Sequence, residues 1–298
     1  MEWIAGIRGA IQYLEDHLLD EEADPARAVG ISPFYLQKGF RILTGCTMAE
    51  YVRSRRLYLA ALDVIAGKDK VIHIAFKYGY DTPESFTKAF TRFHGVTPAA
   101  LRRDPSRVRM FLPLKITLTL QGGHEMDYIV EKEPAFQVIG IEKQIPMETT
   151  YRDIPKFWDE FSDLYMRKLM RGCAPETEIE TAICQYHVGM YGVCLDEEED
   201  HGLCRYLIAG PYPDGGPVPA GMKTAPFPEM DWAKFRCKGP LPGALQAVNT
   251  RIFKEWLPGN PAYEIAMDCT IEWYSEGDPQ SADYESAIWV PVKRRQAE

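Results

Sequence analysis

Two stretches decide the fold: residues 30–45, GISPFYLQKGFRILTG, and residues 79–95, GYDTPESFTKAFTRFHG. Each has an apolar residue after the opening Gly, a hydroxyl residue before Pro, a central Phe and a closing Gly. Ser32-Pro33 and Thr82-Pro83 are helix starts. The hydroxyl accepts from a first-turn N–H, and Pro at the first helical position sacrifices no bond. Gly45 and Gly95 are helix stops, because Gly takes the left-handed conformation without a Cβ penalty. A short helix, a turn and a second, basic helix is the layout of a helix-turn-helix, in which the second helix projects into a major groove. The sequence carries this layout twice.

Outward from these repeats, the first hundred residues read as helices. Ile4, Ile7, Ile11, Leu14 and Leu18 recur every three or four positions and predict a helix over Ile4–Leu18. Met48–Ala66 is the longest predicted helix, closed by Gly67. Val71–Tyr78 is another, and a short one follows Thr97-Pro98. Beyond Arg103-Asp104-Pro105 the pattern changes to short β-branched and aromatic runs. These are KITLTLQ, YIVEKEP, FQVIGIEKQI, AICQYHVGMYGVCL, CRYLIAG, KFRCKG, TIEWY and SAIWVPVKR. Helical stretches interrupt them at 154–170 and 241–256. The expected class is therefore multidomain: an all-α, homeodomain-like pair of helix-turn-helix units, then an α+β domain with an antiparallel sheet. Asp104–Leu114, with two prolines, reads as linker.

The chain of 298 residues has room for about two domains. Its net charge of −9 is unevenly spread. From Arg27 to Val108 there are 14 Lys and Arg against 6 Asp and Glu, whereas from Arg109 to Glu298 there are 19 against 30. A basic segment joined to an acidic one points to a DNA-facing module with a separate partner domain. No apolar run reaches the roughly 18 residues of a membrane span, so no membrane partner is expected. The acidic, amphipathic N-terminus reads as neither signal nor transit peptide. Seven cysteines without CxxC or zinc-type spacing read as reduced thiols of a cytoplasmic protein. The run Asp196–Asp200 reads as a solvated loop without calcium-loop spacing, and His187 and His201 show no catalytic partner pattern. No metal, cofactor or catalytic residue is expected.

The run ISPFYLQKGFRILTG, then MAEYVRSRRLYLAALDVI, then VIHIAFKYGYDTPESFTKAFTRFHGVTPAALRR resembles the DNA-binding domain of AraC-family transcription regulators across about a third of the chain. The second half is similar to the GyrI-like effector-binding domain. That likeness rests on PAFQVIGIE, the FWDEF helix, MDWAKFRCKGPLPGALQAVNTRIFKEWLP, and IEWY followed by SAIWVPVK. The resemblance implies an AraC-type DNA-binding domain over 1–106, a linker and first strand over 107–124, and a GyrI-like domain over 125–298. It also implies a regulator without catalysis, whose partners are double-stranded DNA and a small-molecule effector.

Two units joined by one helix of nineteen residues, about 28 Å long at 1.5 Å per residue, set two recognition helices near one DNA turn apart. On the first, Phe34, Gln37, Lys38 and Arg41 are expected to face outward. Gln suits adenine, Lys suits guanine or phosphate, and Phe34 suits a thymine methyl. On the second the outward set is Pro83, Glu84, Thr87, Lys88 and Arg92. Arg53, Arg55 and Arg56 on the connecting helix suit phosphate or intramolecular pairing. Two features depart from the family. Asp24-Pro25 shortens or delays the helix before the first turn, and Lys38 and Lys88 stand where Arg is commoner.

In the acidic half the resemblance implies two related βαββ halves around a cleft for hydrophobic, often cationic molecules. Aromatic walls and one carboxylate suit such ligands. Glu272 is the expected carboxylate, turned by strand alternation away from Ile271 and Trp273. Trp232, Trp158, Tyr206 and Tyr191 are the expected walls, and Glu264 is the second candidate carboxylate. Two alternatives stay open: a hydrolase fused to the DNA module, and a protein-interaction domain. RNA polymerase is a candidate partner, and the chain reads as a monomer or weak dimer.

Overall fold

The computed structural model describes residues 2–20, 22–116, 126–196, 202–213 and 215–295. The chain forms two compact units, Glu2–Gln121 and Gly122–Glu298.

The first unit is helical. Its elements are α1 (Glu2–Asp16), α2 (Pro25–Val29), α3 (Pro33–Thr44), α4 (Met48–Ala66), α5 (Val71–Lys77), α6 (Pro83–His94) and α7 (Pro98–Arg103). The capping chemistry of the sequence is realised. Ser32 accepts from Tyr35 N–H at 3.2 Å and Thr82 from Ser85 N–H at 3.1 Å, while Gly45 and Gly95 close their helices in the left-handed conformation. Thr47 and Glu50 form a capping box at the start of α4. As Asp24-Pro25 foretells, α2 spans only five residues, with the Asp24 carboxylate accepting from Arg27 N–H. Leu57, Ala60, Ala61 and Val64 of α4 supply one wall of a core completed by Ile74, Phe86, Phe90 and Leu101.

Helix α4 is tied to both helix-turn-helix units. The Arg55 guanidinium meets Glu15 of α1 twice, and Tyr51 O–H donates to the same Glu15 at 2.6 Å. At the other unit, Leu57 O accepts from His94 Nε2 at 3.1 Å, and Asp63 holds Lys77 and Tyr78. After α7, the segment expected to be linker lies along this unit. Arg109 N–H donates to His94 Nδ1, Phe111 O accepts from Arg55, and the Phe111 ring packs on Tyr51 and Phe93.

The second unit is α+β. Its elements are β1 (Tyr128–Glu133), β2 (Phe136–Pro146), α8 (Thr150–Phe161), α9 (Arg167–Leu169), α10 (Glu178–Gln185), β3 (Tyr191–Asp196), β4 (Leu203–Pro211), β5 (Lys223–Phe227), β6 (Met230–Lys238), α11 (Gly243–Arg251), β7 (Tyr263–Ile265), β8 (Cys269–Tyr274) and β9 (Glu285–Arg294). A π-helical turn, Ser162–Met166, joins α8 to α9, and a second, Ile252–Trp256, extends α11. One expectation is corrected: Ala182–Gln185 is helical, not strand. A capping box from Thr177 and Glu180 starts α10, and Ala182 and Ile183 are its buried face. The expected strand KITLTLQ shows none at Lys115 and Ile116, and its remainder lies outside the described residues, as do residues 197–200 of the acidic run and His201.

Among the described residues one antiparallel sheet runs β1-β6-β9-β8-β3-β4-β2-β5, with β7 on β9. This order reads the same under exchange of two halves, β1-β2-α8-β3-β4 and β5-β6-α11-β8-β9. The first strand of each half pairs with the other half: β1 with β6, and β5 with β2. The halves meet at the central pair, β3 with β8. The sheet curls until Phe136 and Phe227, at one end, touch Trp232, near the other, at ring distances of 6.1 and 5.7 Å. Its inner face is thereby a core of Val138, Val193, Leu207, Phe227, Trp232 and Ile271.

Candidate functional site

Strand register assigns the sheet's two faces. Glu272 stands opposite Gly192 on β3 and Ile288 on β9, while its neighbours Ile271 and Trp273 turn to the other face, as alternation requires. Helix α8 lies over the face of Glu272, where Phe157 meets the Tyr206 ring and Trp158 meets the Tyr274 ring edge-on at 5.1 Å. Helix α11 carries the buried Asn249, whose amide donates to Tyr151 O–H of α8 at 3.2 Å, so both helices converge on this face.

At the centre the Glu272 carboxylate is held by two phenols. Tyr206 O–H donates to Oε2 at 2.8 Å and Tyr274 O–H donates to the same oxygen at 2.7 Å. Trp158 Nε1–H donates in turn to the Tyr206 hydroxyl at 2.9 Å. Burial, and then the negative charge of Glu272 beside them, push both phenols well above the ordinary tyrosine value. Both are therefore protonated donors at neutral pH. The result is an anchored carboxylate among aromatic rings, a geometry suited to a cation with apolar flanks.

The structure brings together Glu272, Tyr206 and Trp158 from the expected set. It does not bring in Trp232, Tyr191 or Glu264. Trp232 is wholly buried on the opposite face, between Phe136, Phe227 and Trp289, because it lies three residues from Phe235, which shares the face of Glu272. Tyr191 pairs with Trp273 and packs on Trp289, so it also faces the inner core. Glu264 sits on β7 in an exposed ion pair with Lys293. Three contributors escaped sequence reading, one of them Phe157, beside Trp158 on α8 and packed on Tyr206. Tyr274 was findable, since i and i+2 share a strand face; Gly192, which lies between Tyr206 and Glu272, carries no local signal.

In the helical unit, Glu84, Lys88 and Arg92 are exposed on α6, with Pro83 and Thr87 half-buried. On α3, Gln37, Lys38 and Arg41 are half-buried. Phe34 is corrected: it is fully buried, and it contacts Tyr35 edge-on while the Lys38 ammonium lies 5.4 Å from its ring. Of the connecting-helix arginines, Arg55 is buried in its pair with Glu15, Arg56 bonds the Leu18 carbonyl, and Arg53 is exposed. Among the described residues no helix is long and apolar enough to cross a membrane.

Comparison with known proteins follows this division. Residues 126–293 match the family model of the GyrI-like small molecule binding domain, and residues 26–104 match a helix-turn-helix domain. The chain is 37% identical over 101 residues to the transposon Tn10 TetD protein of Escherichia coli, covering 33% of this chain and 72% of that one. It is 33% identical over 99 residues to the regulatory protein SoxS of Salmonella typhimurium, covering 32% of this chain and 92% of that one. A solved structure, SAV2435 bound to tetraphenylphosphonium, aligns at 21% identity and a TM-score of 0.44, covering 56% of this chain and 94% of that one.

Proposed function

The chain belongs to the AraC-type helix-turn-helix transcription regulators and carries a GyrI-like small-molecule-binding domain; from that premise we propose that a hydrophobic cation bound at Glu272 sets its activity on DNA. Residues 1–106 act as the DNA-binding domain, 107–124 connect, and 125–298 receive the effector. One observation carries the reading: the Glu272 carboxylate is fixed by Tyr206 and Tyr274, against whose rings Phe157 and Trp158 pack. A ligand cation gains ring-quadrupole attraction and one countercharge there, while its apolar parts leave water.

On the DNA side, Gln37, Lys38 and Arg41 of α3 and Pro83, Glu84, Thr87, Lys88 and Arg92 of α6 are the proposed contacts. The effector acts by binding two states of the protein unequally, which changes DNA affinity or the recruitment of RNA polymerase. The two units on one chain suit binding as a monomer or weak dimer in the cytoplasm, and the reading includes no catalysis.

The test is thermal unfolding of the full chain against tetraphenylphosphonium and smaller quaternary ammonium ions. Wild type should rise in Tm with ligand concentration, and Glu272→Gln should lose most of that rise while remaining folded. A concentration-dependent rise that survives unchanged in Glu272→Gln removes Glu272 as the anchor.

A further inference from the structure

Tyr206 stands on β4 and Glu272 on β8, two strands that do not touch, because β3 runs between them. The phenol reaches its partner by lying over β3 at Gly192. A Cβ built on Gly192 would overlap the Tyr206 hydroxyl, stand 3.0 Å from its Cζ and stand 2.9 Å from Glu272 Oε2. Real Cβ atoms do not approach heavy atoms so closely, and this ring has nowhere to retreat. Tyr206 is wholly buried, its edge is met by Phe157, and its hydroxyl is held by Trp158 Nε1–H. Gly192 itself needs no special backbone conformation, since its φ is not in the left-handed region. Its missing side chain is therefore required by what crosses it, not by a turn.

We infer that Gly192 is a positioning residue of the effector site, the gap in the central strand through which Tyr206 reaches Glu272. The inference rests on the reading of Glu272 as the anchor of the ligand. Both phenol bonds go to Oε2, and neither goes to Oε1. With Oε2 occupied by two donors, the carboxylate is fixed in one rotation and presents Oε1 to the ligand. Any side chain at 192 displaces the Tyr206 hydroxyl, leaves Tyr274 as the remaining phenol on Oε2, and frees the carboxylate to turn. Strand β3 thus shapes the site through the side chain that position 192 lacks.

The test is a double-mutant cycle in the full-length protein with Gly192→Ala, Tyr206→Phe and the combination, read by tetraphenylphosphonium affinity and by thermal unfolding. Each single change should weaken the cation by roughly tenfold, the scale of one hydrogen bond to a charged group. The pair should lose clearly less than the sum of the two single losses, because Phe removes the oxygen that the Ala methyl overlaps and leaves only the milder approaches to Cζ and Glu272 Oε2. The unfolding midpoints should show the same sub-additivity, and this second readout stands even if wild type binds no cation. Additive losses in both measurements would mean that Gly192 matters only for strand packing, and would overturn the inference. Absence of cation binding by wild type, with a sub-additive unfolding cycle, would instead remove the proposed ligand and leave the role of Gly192 intact.

Discussion

Glu15 and Arg55, forty residues apart, share two parallel hydrogen bonds: Nε to Oε1 at 2.7 Å and a terminal guanidinium nitrogen to Oε2 at 2.8 Å. Their side chains are 15% and 6% exposed, so this fork–fork pair is mostly shielded from water and joins α1 to the connecting helix. Burial works against both charges, yet the mutual bonds leave Glu15 below and Arg55 above their ordinary values.

Removing one partner leaves the other charge buried without its countercharge. Arg55→Ala or Glu15→Ala is expected to cost about 3 kcal/mol of stability in the helical unit. The double replacement Glu15→Leu with Arg55→Met should recover much of that loss. Urea unfolding of the four proteins measures it; a double variant as unstable as the sum of the singles would refute pairing as the cause.

Phe34 makes a second prediction, because its burial excludes a role at the base edge. Phe34→Ala opens a void in the first unit and should cost about 3–5 kcal/mol. Phe34→Leu should cost less than about 1.5 kcal/mol and leave DNA affinity unchanged on a duplex selected from random sequence. A folded Phe34→Leu protein with altered base preference at one position would restore the ring to the interface.

The helical unit was legible almost to the residue, because Ser32-Pro33, Thr82-Pro83 and the closing glycines act through neighbours in sequence. Phe34 was misplaced since three consecutive residues, Phe34, Tyr35 and Leu36, are all buried where one-sided periodicity allows fewer. In the second unit, alternation correctly separated Glu272 from Trp273, and the same rule applied once more would have found Tyr274. It could not place Trp232 or Tyr191. Alternation fixes relative faces within one strand, whereas the choice of face depends on pairings between strands distant in sequence. Gly192 was invisible for a stronger reason: its role exists only because β3 separates Tyr206 from Glu272.

The exposed bases of α6 give a third prediction. Lys88 and Arg92 are exposed cations on α6, among the DNA contacts proposed above. If each neutralises one phosphate, Lys88→Ala and Arg92→Ala should each lower DNA affinity on every duplex and reduce the slope of log affinity against log salt by about 1. Filter binding at several salt concentrations reads the slope. Loss confined to one base pair, with the slope unchanged, would assign that residue to base reading.

His94 gives the last prediction. Its Nε2–H donates to Leu57 O and its Nδ1 accepts from Arg109 N–H, so the ring is neutral and both nitrogens are engaged. Burial pushes its pKa below the ordinary 6.5, with the Arg109 charge adding to the effect. The unfolded chain therefore takes up the proton first. The stability from the neutral ring is fully present above 6.5 and is lost as pH falls through the depressed folded value. Protonation at Nδ1 also removes the acceptor that holds Arg109, which would release the segment carrying Phe111 from Phe93 and Tyr51. Between pH 7 and 5, wild type should lose stability more steeply than His94→Leu, by at most about 1.4 kcal/mol per pH unit. His94→Leu should be less stable at pH 7 but flatter with pH. Parallel pH profiles for the two proteins would show that His94 is not the titrating group.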